Sequence, residues 1–313
     1  MLSVALALAA LADPSLVYGN PIAYHNMTVV PVTTTATGPF QQYTLLEDGI
    51  AKKTLAIREL NGNDGSASVN ELEVKNTGRD PVFLLSGEMV MGGKQDRILQ
   101  SDAVIPPDGK WMHVPVFCVE HGRWTGAKMD FASGGAIAHR ELATAALSGD
   151  QGAVWAEVAK TNAKEGTESA TGTYRRTVQD GALRDKIAKH RDALKKELPK
   201  GRLAGFVFAV NGDVRIADLF GNPVLLDELQ DKLLSAYILE ALEEDVDPNA
   251  KPLSPKAAEA FIESAQAAPV SATKSAGRAE NTTRENDEVI MNQSKDTATG
   301  VGTRGTYMKK KKK

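Results

Sequence analysis

The chain has 313 residues, 42% of them hydrophobic and 25% charged, with a net charge of −3 and a pI near 6.0. Such a composition supports a globular core, and it provides no global field to hold nucleic acid or an anionic membrane. A single cysteine, Cys118, excludes an internal disulfide framework and any multi-cysteine metal site. The five histidines, His25, His113, His121, His139 and His190, fall into no recognised ligand spacing. Neither a metal nor another cofactor is therefore expected.

Residues 1–12 are almost wholly apolar and end in Ala10-Leu11-Ala12 before Asp13-Pro14. This resembles a secretory signal with a small-x-small cleavage site, although no Lys or Arg precedes it. Export to a periplasmic or extracellular setting is the expectation; a short buried helix is the alternative. No apolar run reaches the ~20 residues that a membrane-spanning helix requires.

Residues 22–32 are rich in β-branched side chains and read as a strand. A short helix is expected over 43–52 and a strand over 54–60, closed by the turn residues 61–65. From Val69, Leu72 and Val74 alternate with Glu71, Glu73 and Lys75, the pattern of a half-buried strand. Residues 81–85, 98–105 and 111–119 follow as further strands with turn chemistry between them, which predicts a sandwich-like antiparallel sheet. After Trp124 the pattern becomes helical, over 136–147, 153–164 and 183–198. Asn211-Gly212 separates two apolar runs, 203–210 and 214–220, and marks a hairpin with a type I′ turn. A final helix is expected over 224–244. The fold class is thus α+β: a strand-rich N-terminal half packed with C-terminal helices and one β-hairpin. Residues 13–264 are expected to form a single domain. Residues 265–313, poor in hydrophobic periodicity and ending in a lysine run, are expected to be disordered.

Two segments concentrate chemistry. In the first, Glu88 follows a buried strand, Gly92-Gly93 frees the backbone, and Lys94, Gln95 and Arg97 crowd together. Lys94 and Arg97 suit a phosphate or carboxylate, and Glu88 suits a general base or the internal partner of Arg97. A surface turn with an ion pair is the competing reading. In the second, Cys118 and Glu120 share one face of a strand that ends in His121, Arg123 and Trp124. Cys118 acts as a nucleophile only if its thiolate is stabilised; otherwise it is a small buried hydrophobe. Trp124 either stacks on a ligand ring or packs in the core. No P-loop, nucleophile elbow or dinucleotide fingerprint is present.

These segments fall into an ordered series. It includes Val69-x-Glu71-Leu72-x-Val74-x-Asn76, Gly87-Glu88, Gly92-x-Lys94-Gln95-x-Arg97 and Cys118-Val119-Glu120-x-Gly122-Arg123-Trp124. It continues through Gln151, Trp155-x-Glu157, Ser169-x-Thr171-Gly172 and Asp218-Leu219-Phe220-Gly221, with Gly19-x-Pro21 and His25-Asn26 near the start. The series resembles the ARG and rhodanese-phosphatase-superfamily-associated protein domain family over about residues 19–242. The chain departs from that pattern at Gly93, Asp96 and His121. Asp96, beside Lys94 and Arg97, neutralises part of the positive charge.

The resemblance implies a polar site for a small anionic or nucleotide-like ligand, ADP-ribose being the type suggested by the association with ADP-ribosylglycohydrolases. Glu88, Glu120 and Cys118 are its candidate catalytic residues. Lys94, Gln95, Arg97, Arg123, Trp124 and Asp218 are its candidate ligand-binding residues. Hydrolysis at a glycosidic or phosphate-ester bond is the matching reaction class. The competing expectation is a non-catalytic interaction module in which the same charges form a buried network.

Overall fold

A computed structural model of the chain describes residues 16–61, 67–123 and 129–311. The apolar segment 1–12 and Trp124 lie outside the described residues. In chain order the first strands are β1 (Leu16–Tyr18), β2 (Ile22–Tyr24), β3 (Met27–Thr34) and β4 (Thr44–Leu45), followed by α1 (Leu46–Ala51). Next come β5 (Leu55–Asn61), β6 (Ala67–Asn76), β7 (Val82–Leu84), β8 (Glu88–Met91) and β9 (Arg97–Leu99). β10 (Ala103–Ile105), β11 (Trp111–Cys118) and β12 (Ala132–Ile137) lead into α2 (Arg140–Ser148), α3 (Gln151–Glu165), α4 (Arg175–Val178) and α5 (Gly181–Glu197). β13 (Leu203–Val210), β14 (Asp213–Phe220), α6 (Pro223–Leu242) and α7 (Pro255–Ala267) precede β15 (Val270–Ala276), β16 (Ala279–Glu285), β17 (Val289–Asp296) and β18 (Val301–Lys309). The class is α+β with strand-rich, mostly antiparallel sheets, as the sequence predicts.

The described chain divides into two compact units. One is built from the described parts of residues 1–41, 189–274 and 280–313, and the other from residues 42–188 and 275–279. The first unit carries a sheet ordered β1-β3-β13-β14-β18-β17-β16-β15, with β2 also paired to β3. Every residue of β13 is buried, because side chains of both parities are covered. Val207 and Ala209 join Ala258, Ile262 and Ala265 of α7 in one apolar cluster. Phe208, of the other parity, meets the Tyr237 ring of α6 at 5.3 Å. Asn211 (φ 49°) and Gly212 (φ 75°) both take the left-handed conformation that the type I′ turn demands.

Residues 22–32, expected as one strand, form the β2–β3 hairpin. The larger correction is at the C-terminus. Residues 265–313 were expected to be disordered, yet β15–β18 complete the sheet, and β18 pairs with β14 from Ile216↔Met308 to Phe220↔Arg304. Their Asn, Ser and Thr side chains satisfy one another: Asn292 Nδ2 donates to Asn281 Oδ1 at 2.9 Å, and Ser294 and Thr303 hydroxyls lie 2.7 Å apart. A strand whose inward polar groups are paired in this way carries little hydrophobic periodicity.

The second unit stacks a six-stranded sheet, β12-β8-β9-β11-β6-β5, with a three-stranded one, β10-β7-β4. Their apolar contact includes Leu72, Val74, Leu84, Val90, Leu99, Ile105 and Val116. This is the sandwich-like arrangement anticipated from the alternation. Residues 98–105, read as one strand, split into β9 and β10 in different sheets, the break falling at residues 100–102. The helix expected over 136–147 begins only at Arg140, residues 132–137 being β12 on the edge of β8.

Deletion of residues 287–313 removes β17 and β18, strips β14 of one of its two partners and leaves Asp218 without Arg304. The truncated chain is expected to lose about 10 °C or more in Tm, or to aggregate, when followed by circular dichroism on heating. A disordered tail would leave Tm unchanged.

Candidate functional site

The second unit gathers most of the predicted site residues at the ends of β5, β8, β9 and β11. The Gly92-Gly93 turn delivers them. Gly92 (φ 112°) and Gly93 (φ 57°) are left-handed, and a Cβ would lie 2.3 Å from the Asp130 carbonyl oxygen at the first and 2.4 Å from Glu59 Oε1 at the second. The glycines therefore admit the protein's own backbone and carboxylate.

Arg97 follows the turn and is wholly buried. Its Nη1 and Nη2 donate to the two carboxylate oxygens of Glu59 at 3.1 and 2.8 Å, its Nε donates to the Val69 carbonyl, and Nη1 also reaches the Gln95 carbonyl. The bidentate fork expected for a ligand is thus given to Glu59. Glu59 also accepts the Lys94 backbone N–H at 2.7 Å.

Asp96 is the centre of the cluster and has no exposed surface. Its carboxylate accepts from the Gly92 N–H (3.1 Å), the Thr173 hydroxyl (3.2 Å), Arg123 Nη2 (3.1 Å) and Arg175 Nε (2.7 Å), and it also pairs with Arg175 Nη2. Glu120 accepts from Arg123 Nε at 2.7 Å and from the Asp96 N–H at 3.2 Å. Burial pushes the Glu120 carboxyl up, but Arg123 and the Asp96 N–H outweigh it, so the net shift is downward. Three guanidiniums, of Arg97, Arg123 and Arg175, face three carboxylates, of Glu59, Asp96 and Glu120. The six formal charges cancel.

Cys118 lies directly opposite Arg97 in the β9–β11 register. It is fully buried, its thiol donates to the Glu120 carbonyl at 3.3 Å, and burial pushes its pKa up despite the opposing influence of Trp155 and Arg97. A nucleophile needs the opposite shift. Gln151 at the start of α3 clasps the Cys118 backbone on both sides, at 2.9 and 2.8 Å. Gln95 donates to the same Glu120 carbonyl at 3.0 Å while its buried Oε1 has no hydrogen-bond donor.

Glu88 is buried on β8, opposite Ile137, and accepts the Leu85 N–H at 3.2 Å. Asp218 belongs to the other unit. There it binds Arg304 through Nε (2.7 Å) and Nη2 (2.6 Å) and takes the Tyr237 hydroxyl. Trp124 lies outside the described residues. Glu59, Thr173 and Arg175 escaped the sequence reading: Glu59 sits on a strand without a motif, and Arg175 lies just beyond Ser169-x-Thr171-Gly172. That last segment docks on the site through the Gly122 N–H to Thr171 carbonyl bond (2.8 Å) and the Glu120↔Thr173 bridge.

A family model described as the ARG and Rhodanese-Phosphatase-superfamily-associated Protein domain matches residues 15–302. No curated protein and no solved structure matches the chain.

Glu59→Gln leaves Arg97 buried and uncompensated, which costs about 3–5 kcal/mol. Urea denaturation should show that loss, and the double variant Glu59→Leu with Arg97→Met should be markedly more stable than Glu59→Gln. Equal losses would mean that the pair is not coupled.

His139, at the N-cap of α2, is buried beside the Thr161 hydroxyl (2.9 Å from Nε2), and desolvation depresses its pKa to about 3. In the unfolded chain it titrates near 6.5. The native state therefore binds fewer protons, and stability falls as pH drops from above 6.5 towards 3. The loss from this group between pH 7 and pH 5 is about 2 kcal/mol. Chemical denaturation at the two pH values should show that component, and His139→Gln should remove it.

Proposed function

The chain belongs to the ARG and Rhodanese-Phosphatase-superfamily-associated Protein domain family, and on that premise we propose that it is a non-catalytic interaction module whose shared motifs build a charge-balanced scaffold. The observation that carries this reading is the mutual pairing of Arg97, Arg123 and Arg175 with Glu59, Asp96 and Glu120. Binding and turnover of a phosphorylated substrate need cationic groups aimed at the ligand. Here each guanidinium is engaged by a carboxylate of the same unit, and Arg97 has no exposed surface from which to reach a ligand. Glu120 is likewise committed to Arg123. A buried network of this kind acts on the specificity of the fold more than on net stability.

A second reading has one observation in its favour. Gln95 Oε1 is a buried acceptor without a donor, and the Arg175 side chain is 29% exposed at the rim of the cluster. On this reading the rim takes a small anionic or nucleotide-like ligand such as ADP-ribose.

Thermal shift with ADP-ribose, nucleoside phosphates and phosphosugars separates the two. A ligand at one hundred times its Kd stabilises by about 2.7 kcal/mol, which is several degrees in Tm. The scaffold reading expects no shift with any of them. A shift that disappears in Arg175→Ala and in Gln95→Leu overturns it in favour of the ligand site.

A further inference from the structure

The notable cluster outside the charged network is in the first unit, where three rings meet. Tyr24 and His25 close the β2–β3 hairpin, and His190 faces them from α5. The ring centroids lie 4.4 Å apart for Tyr24–His25, 5.4 Å for Tyr24–His190 and 5.3 Å for His25–His190. A zinc-class ion sits about 2.0–2.1 Å from each imidazole nitrogen, hence about 3.2 Å from each ring centroid, so two imidazoles at a tetrahedral angle have centroids about 5.2 Å apart. The observed separation matches that figure.

The placement of His25 gives a second argument. β2 and β3 pair at Tyr24↔Met27, so His25 and Asn26 form a two-residue turn. His25 takes φ 54°, a left-handed conformation that glycine occupies at no steric cost. The strained position carries an imidazole instead, and the turn is held rigidly. Asn26 Nδ2 donates to the Ala241 carbonyl at 2.8 Å and the Glu244 carbonyl at 2.9 Å, and its own carbonyl accepts the Asn211 N–H at 2.7 Å. Backbone strain kept at an exposed side chain points to a use for that side chain. Rigid anchorage of the turn preorganises it.

A cleft of about 580 Å³ runs along the same two elements, lined by Ile22 and Ala23 of β2 and by Glu197 and Pro199 at the end of α5. His190 and Glu197 are two helical turns apart, so both point to the side of α5 that faces β2.

We propose that His25 and His190 form a binding site for a divalent transition-metal ion of the zinc class. Imidazole nitrogens suit such ions, and two of them from rigid elements supply half of a tetrahedral set, with water completing it. The site is independent of the charged network in the other unit.

The test is titration of the full-length protein with zinc chloride by isothermal calorimetry, with histidine Cε1–H signals followed by NMR. Wild type should bind one zinc ion, with the signals of His25 and His190 shifting and that of His113 unchanged. His25→Asn keeps a residue that tolerates the left-handed turn, and His190→Gln sits on a helix away from it. Each should weaken binding about 10-fold or more, and the double variant should abolish it, while His113→Gln binds as wild type. Absence of zinc binding by wild type, or undiminished binding by the double variant with native circular dichroism, overturns the proposal.

Discussion

The buried carboxylate of Asp96 is the constraint on which the second unit is organised. It is wholly removed from water, so it persists as an anion only where fixed donors replace its hydration. Those donors come from separate stretches of chain: the Gly92 turn, Arg123 beyond β11, Thr173 before α4 and Arg175 at the first position of α4. The Asp96 main chain is used as well, its N–H going to Glu120 and its carbonyl accepting from Val119. Motifs that look unrelated in sequence therefore have one physical cause. Gly92, Glu120, Gly122, Arg123 and Thr171 are required where they are because each supplies, aims or supports a contact to one anion or its immediate partner.

The first unit solves a similar problem differently. Asp218 is equally buried, between Arg304 of β18 and Tyr237 of α6. There desolvation prevails over Arg304 and the Tyr237 hydroxyl, and the carboxyl is shifted upward. At Glu120 the balance falls the other way, because a close Arg123 and a backbone N–H act on a less deeply buried group. The distinction is one of depth and donor number. Asp218 joins strands far apart in sequence, which is why the C-terminal strands belong to the core of this unit.

Local pattern carried much of the fold. The Asn211-Gly212 hairpin, the alternation of β6 and the long helices α5 and α6 were legible because their cause lies within a few neighbouring residues. The C-terminal strands were not legible, since Asn281 with Asn292 and Ser294 with Thr303 replace apolar alternation with paired polar groups. The candidate site was half legible. Lys94, Gln95, Arg97, Cys118, Glu120 and Arg123 do gather as the motifs indicate, but Glu59 and Arg175 complete the charges and carry no local signal. The contact of His25 with His190 is of the same kind: it joins a hairpin turn to a distant helix, and no spacing within one element reveals it.

Strand register explains why an ion-pair network occupies this place instead of apolar packing. In an antiparallel ladder a slip of one residue exchanges the two faces of a strand, and short apolar strands such as β8 and β9 offer little resistance to it. The native register sets Cys118 opposite Arg97 and Leu99 opposite Val116. A one-residue slip of β9 would carry the Arg97 guanidinium away from Glu59 and expose both buried charges to an apolar surround, at a cost of several kcal/mol per ion. Apolar side chains of similar volume would tolerate the slip far better, since Ile98 and Leu99 are interchangeable to a hydrophobic surface. On the proposed scaffold reading, the charges specify one alignment by penalising its neighbours. That function demands full mutual satisfaction in the native state, and it is met by the three-against-three balance around Asp96.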